Sequence, residues 1–353
     1  MNAGIEPTIL SRSRAGVGHL TLNRPRAINA LNLEMVTEML RVLDAWEHDT
    51  DIDIVVIDGA GERGMCAGGD VRGLSEQVRG GALEGAVEFF RAEYALNARI
   101  AEYPKPIITF ADGVTMGGGI GVAGHASLRI VTERSQLAMP ETRIGFTPDV
   151  GGSWLLAKAP GRIGEYLALT SGVMDYSDAI YAGFADRFVP ADHLAALYDA
   201  FETRADPANP AELSLLFDET PPPSRLEAAR EWIDDAFSRD TVADIIARLR
   251  EIGEDAASDT ADVLEQLSPT ALTVTLAAVR RARTLTGLRG VLEQEYGLVL
   301  WFAATQPDLV EGIRAQVIDK DRMPRWNPAA LSDVPADIAE QAFAYRPVTA
   351  LWG

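Results

Sequence analysis

Cysteine and histidine are scarce in this sequence: one thiol, Cys66, and four histidines in 353 residues. A single cysteine forbids any internal disulfide and fits a reducing compartment. So few sulfur and imidazole ligands argue against a zinc or iron site. Cations are scarce too: 32 Lys and Arg against 52 Asp and Glu leave a net charge of −20, and the basic footprint of a nucleic-acid binder is missing. No apolar run approaches the roughly 18 residues of a membrane span. The N-terminal MNAGIEPTILSRSRAG lacks the apolar centre of a secretory signal. These absences predict a cytoplasmic protein with no metal and with neither a nucleic-acid nor a membrane partner.

What is present is a strand–helix–strand pattern. TILSRSRAGVGHLTLNRP reads as two strands around a Gly turn. In the next segment Val36, Met39, Leu40, Leu43 and Trp46 recur near the helical period. DIDIVVIDGAG is a buried strand ending in glycines, a helical stretch runs from about 80 to 103, and Pro104-Lys105-Pro106 stops it. PIITFADG, RIVTE and LAMPE read as further extended pieces. Short links between alternating elements predict an α/β class. Beyond residue 150 the pattern turns helical, including SDAIYAGFADR. Three parts are expected: a core over 1–205, a Pro-rich spacer over 206–225 and a helical C-terminal region over 226–353.

Two glycine-rich turns each follow a strand: GERGMCAGGD at 61–70 and GGGIGVAG at 117–124. The second contains a formal G-x-G-x-x-G (Gly119, Gly121, Gly124). A dinucleotide loop, however, follows the first strand of its βαβ unit and has an acid about 20 residues on. Here Glu133 comes nine residues after Gly124, so that reading fits badly. Glycine at a strand end can instead expose its backbone N–H, and two such groups form an oxyanion hole. Tight turns and close helix packing are the plainer use.

PETRIGFTPDVGG at 140–152 places Glu141 and Asp149 eight residues apart around Gly145 and Pro148. Two carboxylates in one pocket split their pKa values and divide acid and base duties. Asp149 could equally cap the helix that follows. As nucleophiles the alternatives are poor. Cys66 has no histidine near it in sequence, no G-x-S-x-G exists, Ser153 reads as a helix start, and His125 as a satisfied, partly buried residue.

GERGMCAGGDVRGL, ADGVTMGGGIGVAG and AMPETRIGFTPDVGG resemble the three signature segments of the crotonase (enoyl-CoA hydratase/isomerase) superfamily, and NRPRAINALNLEM resembles its N-terminal signature. The resemblance covers roughly residues 8–200. It implies a crotonase-like ββα spiral core, an acyl-CoA thioester substrate, and two backbone N–H donors for the thioester oxygen, Gly69 and Gly118. Coenzyme A is then part of the substrate, and no separate cofactor is expected. Arg26, Met65, Cys66 and Ala67 match positions that meet coenzyme A in relatives. The family also implies a homo-oligomer, trimer or hexamer, unless the long C-terminal part folds back on its own core.

One departure sets the subgroup. Enoyl-CoA hydratases carry a catalytic Glu where this sequence has Gly121. Gly121, Glu141 and Asp149 together, with the C-terminal EGIRAQVIDKDRMPRWNPAAL, resemble the 3-hydroxyisobutyryl-CoA hydrolases of valine degradation. The implied reaction is thioester hydrolysis with Glu141 and Asp149 as catalytic groups, Glu141 acting as base or as nucleophile. An atypical hydratase or isomerase, another acyl-CoA hydrolase, and a silent CoA-binding protein are the alternatives.

Overall fold

The computed structural model describes residues 6–203 and 209–352. Strands β1 (Ile9–Arg14) and β2 (Gly16–Leu22) form the expected antiparallel hairpin, and helix α1 (Leu33–Glu47) follows. Asn32 caps α1 by accepting the Met35 N–H at 2.9 Å. Strand β3 (Ile52–Gly59) lies parallel to β2. Helices α2 (Val71–Gly80) and α3 (Glu84–Ala101) come next.

Two further ββ pairs then divide between two sheets. Strands β4 (Ile107–Phe110), β6 (Leu128–Val131) and β8 (Arg187–Phe188) extend the large sheet, whose order is β1-β2-β3-β4-β6-β8. Strands β5 (Val114–Met116) and β7 (Gln136–Ala138) pair in a small one. Between β5 and β6 runs α4 (Gly118–Ala123), and after β7 come α5 (Gly152–Lys158) and α6 (Ile163–Thr170).

Side-chain alternation along β3 makes two cores. Val55 and Ile57 face α1, packing with Met35, Met39 and Leu43. Ile54 and Val56 face the opposite way, against Leu194, Leu197 and Phe201 of the helix that ends at Thr203. The first core continues without a break into the C-terminal helices Pro269–Ala282, Gly287–Thr305 and Asp308–Ile313, through Leu272, Val279, Phe302 and Leu309. The C-terminal part therefore folds back on its own core. Contact is close where Gly312 meets Ile144, since a Cβ there would strike the Ile144 backbone.

The helical stretch expected over about 80–103 is α3, Glu84–Ala101. The sequence reading needs correction in three places. It did not anticipate α2, Val71–Gly80, which Gly81 at φ +68 ends. A strand, β8, begins at the last residue of SDAIYAGFADR, where helix was expected; its two residues pair with β6. Within the 206–225 spacer, residues 206–208 lie outside the described residues, whereas Pro210–Ser214 is helical and Ser224 caps Arg225–Ala228.

Candidate active site

Both glycine turns and all of the 140–149 segment's carboxylates converge on one largely apolar cavity of about 460 Å³. Leu31 N–H donates to Gly68 O, and Asp70 N–H to Leu31 O, both at 2.8 Å. That pairing brackets Gly69 and turns its own N–H the other way, toward α4. Gly118 opens α4, so its N–H has no acceptor one turn back. A Cβ on Gly118 would lie 3.1 Å from Gly69 N, which makes the two N–H groups neighbours. Neither finds an acceptor among the described residues. Gly117 holds φ +49 and ψ −119, a conformation for glycine alone, and a Cβ there would sit 2.9 Å from Glu141 Oε1. Gly119, Gly121 and Gly124 are buried and none of them lines the cavity, so the formal G-x-G-x-x-G is no pyrophosphate cradle.

Glu141 begins a single 3₁₀ turn, Glu141–Ile144, directly after Pro140. Thr142 anchors that turn through Ser171 Oγ at 2.6 Å. Burial, and then the charge of Asp149, push the Glu141 carboxyl well above its ordinary range, and its Oε2 is buried without a hydrogen-bond partner. Asp149 accepts the Tyr94 hydroxyl at 3.1 Å. Burial raises its pKa to about 7, with the Tyr94 bond opposing. Asp149 does not cap α5: the cap residue is Gly151, which makes no side-chain bond of its own.

A third carboxyl, Glu93, was not singled out from the sequence. It projects from α3 into the same cavity, 2% exposed, with Oε1 unpaired. A Cβ on Gly118 would be 2.7 Å from that oxygen. Burial first, and the charge of Asp149 second, raise its pKa well above normal. The signal was there to be read: Phe90, Glu93, Tyr94 and Asn97 share one helical face, and two of them are polar.

The other sequence candidates separate. Ala67 lines the cavity. Arg26 does not; it borders a distinct recess of about 350 Å³ with Pro25, Ile28 and Arg63. Met65 and Cys66 are buried between the two. The Cys66 backbone is already paired with β5, its N–H donating to Val114 O and its C=O accepting from Met116 N–H. Burial pushes the Cys66 thiol up to about 12, which removes it as a nucleophile. His125 is held near pKa 4 by burial, and its Nε2–H donates to Val150 O at 2.8 Å. At Gly121 a Cβ would lie 2.7 Å from Asn97 Nδ2 and 2.7 Å from Val150 Cβ. The space a hydratase carboxylate would need is filled.

The Enoyl-CoA hydratase/isomerase family matches residues 17–343. The chain belongs to the crotonase superfamily. A zebrafish (Danio rerio) relative, a mitochondrial 3-hydroxyisobutyryl-CoA hydrolase, is 37% identical over 97% of this chain and 90% of its own length. Two crystal structures are similar throughout: a carnitinyl-CoA dehydratase from Mycobacterium thermoresistibile (44% identical, TM-score 0.92, 98% of both chains) and an enoyl-CoA hydratase from Rhodobacter sphaeroides (42%, 0.88, 96% of this chain and 97% of that one). The mixed α/β architecture, with its ββα core and helical C-terminal region, matches the crotonase fold. The chain is an acyl-CoA enzyme close to the 3-hydroxyisobutyryl-CoA hydrolase-type members of that superfamily.

The expected cytoplasmic location is overturned. The zebrafish relative and those from chicken, rat, mouse and Xenopus laevis are all named mitochondrial. A lone cysteine argues only against a disulfide-forming compartment. It does not choose among reducing ones.

Proposed function

We propose that this crotonase hydrolyses a short branched 3-hydroxyacyl-CoA, 3-hydroxyisobutyryl-CoA in the first instance, to the free acid and coenzyme A, as in valine degradation. The observation that carries the reading is the meeting of two acceptor-free N–H groups with Glu141 and Asp149 at one cavity. The thioester oxygen accepts from Gly69 and Gly118, which stabilise the charge that develops on it. Glu141 either takes a proton from water as that water attacks the carbonyl carbon, or attacks it directly to give a mixed anhydride that water then hydrolyses. The C–S bond breaks, and Asp149 orients the substrate's 3-hydroxyl or delivers the proton to the departing sulfur. The nucleotide end of coenzyme A leaves past Ala67 toward the recess at Arg26, with Met65 and Cys66 as the buried strand behind it.

A second reading is a hydratase, dehydratase or isomerase, or a hydrolase of another acyl group. The two solved structures more identical to this chain than the zebrafish hydrolase favour it, as does Glu93, which restores a carboxyl pair beside Glu141. A substrate panel decides between them. Thiol release from 3-hydroxyisobutyryl-CoA above that from 3-hydroxypropionyl-CoA supports the first reading. Hydration of crotonyl-CoA without thiol release replaces it, and tight binding with no turnover makes the protein a silent binder.

We further propose the functional core at 1–205 and the helical region at 226–353 as two parts of one catalytic unit. Because that helical region folds back on its own core, an assembly smaller than the family's trimer or hexamer is expected, to be measured by sedimentation.

A further inference from the structure

Glu295 is a wholly buried carboxylate in the helix Gly287–Thr305, at no edge of the cavity. It accepts the Gly151 N–H at 2.6 Å, the Ser153 N–H at 2.9 Å and the Ser153 hydroxyl. These are donors at the start of α5: the Ser153 N–H is one that an N-cap side chain ordinarily satisfies, and the Gly151 N–H is the cap residue's own. The residues beside them are unusual. Val150 takes φ +54, a conformation a β-branched side chain seldom adopts, and Gly151 takes φ +77. A Cβ on Gly151 would strike His125 on one side and come within 2.7 Å of Leu288 Cδ1, from Glu295's own helix, on the other. The helix also braces Asp149 by a second route. Tyr296 packs edge-on against Tyr94 with centroids 6.3 Å apart, and Tyr94 donates to Asp149.

We propose that Glu295 is a positioning residue for Asp149. By capping α5 from a distant helix it supplies the cap that Gly151 cannot, and it holds the strained Asp149–Gly152 turn with the Asp149 carboxyl toward the cavity. The inference rests on the reading of Asp149 as a group of the active site.

The test is a double-mutant cycle on the full chain, with the acyl-CoA that the panel identifies. Glu295→Gln keeps the shape but turns a donor toward N–H donors. It is expected to lower kcat by about 100-fold, as a displaced reacting group does, with KM changed by less than about threefold. In the Asp149→Asn background the same change is expected to cost less than about threefold, because the two act as one unit. Wild-type kcat in Glu295→Gln, or losses that simply add, overturns the proposal. Should Glu295→Gln not fold, Ser153→Ala removes one of the three bonds and a fall of several-fold in kcat is expected; no fall overturns it. If Asp149→Asn alone leaves turnover intact, it is the reading of Asp149 that fails. Positioning is then judged by amide exchange at Gly151 and Ser153, where unchanged protection in Glu295→Gln overturns the hold on the turn.

Discussion

Glu141 and Glu295 are both buried glutamates whose carboxyls burial pushes upward, Glu295 to about 8, yet the molecule treats them oppositely. The Glu295 carboxylate is saturated: three donors converge on its two oxygens, none from the cavity. Glu141 faces the cavity with one oxygen unpaired, beside Glu93, which also has one. Desolvation alone therefore does not mark the reactive region. What marks it is desolvation without compensation, an arrangement that costs stability and is expected where a ligand supplies the missing partner.

The largest test of that contrast is Glu141→Gln. Thiol release or hydration is expected to fall by about 10²–10⁴-fold, while the melting temperature rises above neutral pH, because the amide cannot ionise where burial and Asp149 disfavour charge. Glu295→Gln is expected to lower it. If both variants lose stability alike, the contrast is broken. Next comes Gly118→Ala, whose Cβ would meet Glu93 Oε1 at 2.7 Å and Gly69 N at 3.1 Å. A loss of about 10²–10³-fold in kcat is expected, and steady-state kinetics on the folded variant measure it.

The smallest effect concerns pH. Asp149 ordinarily titrates near 3.8 and, folded, near 7, so the folded chain holds its proton more tightly. Stability from this group is full below about pH 4 and is lost as pH rises through about 7. The ligand-free protein is expected to melt a few degrees higher at pH 5 than at pH 8, and Asp149→Asn should narrow that gap. An unchanged gap would assign the titration to Glu141 or Glu93.

The strands, the hairpin and the two glycine turns were legible because each rests on local chemistry: a period of two, a period near 3.6, or a turn only glycine makes. Glu141 and Asp149 were legible because they sit on such a turn. Glu295 was not, since it lies mid-helix, where nothing nearby reports what a side chain will meet; Glu93 showed only as a polar position on a helical face shared with Phe90 and Tyr94. Gly151 and Glu295 are 144 residues apart. Asn97, which fills the space beside Gly121, was hidden for the same reason. Strand β8 escaped because two residues carry no periodicity, and its pairing with β6 is decided across 56 positions of chain (Ile130 with Arg187, 187 − 130 − 1 = 56).

The cavity wall formed by Gln316 and Val317, with Arg72 donating to the Val317 carbonyl at 2.8 Å, has a consequence for synthesis. Both glycine turns and Glu141 leave the ribosome more than 150 residues before that wall exists (317 − 141 = 176). Until then the nascent chain presents an apolar, half-built chamber to its surroundings, an exposure that invites association. A ribosome stalled between residues 200 and 300 would hold out a sticky intermediate rather than a slow enzyme, and the last turns of the C-terminal helices act as the moment of closure.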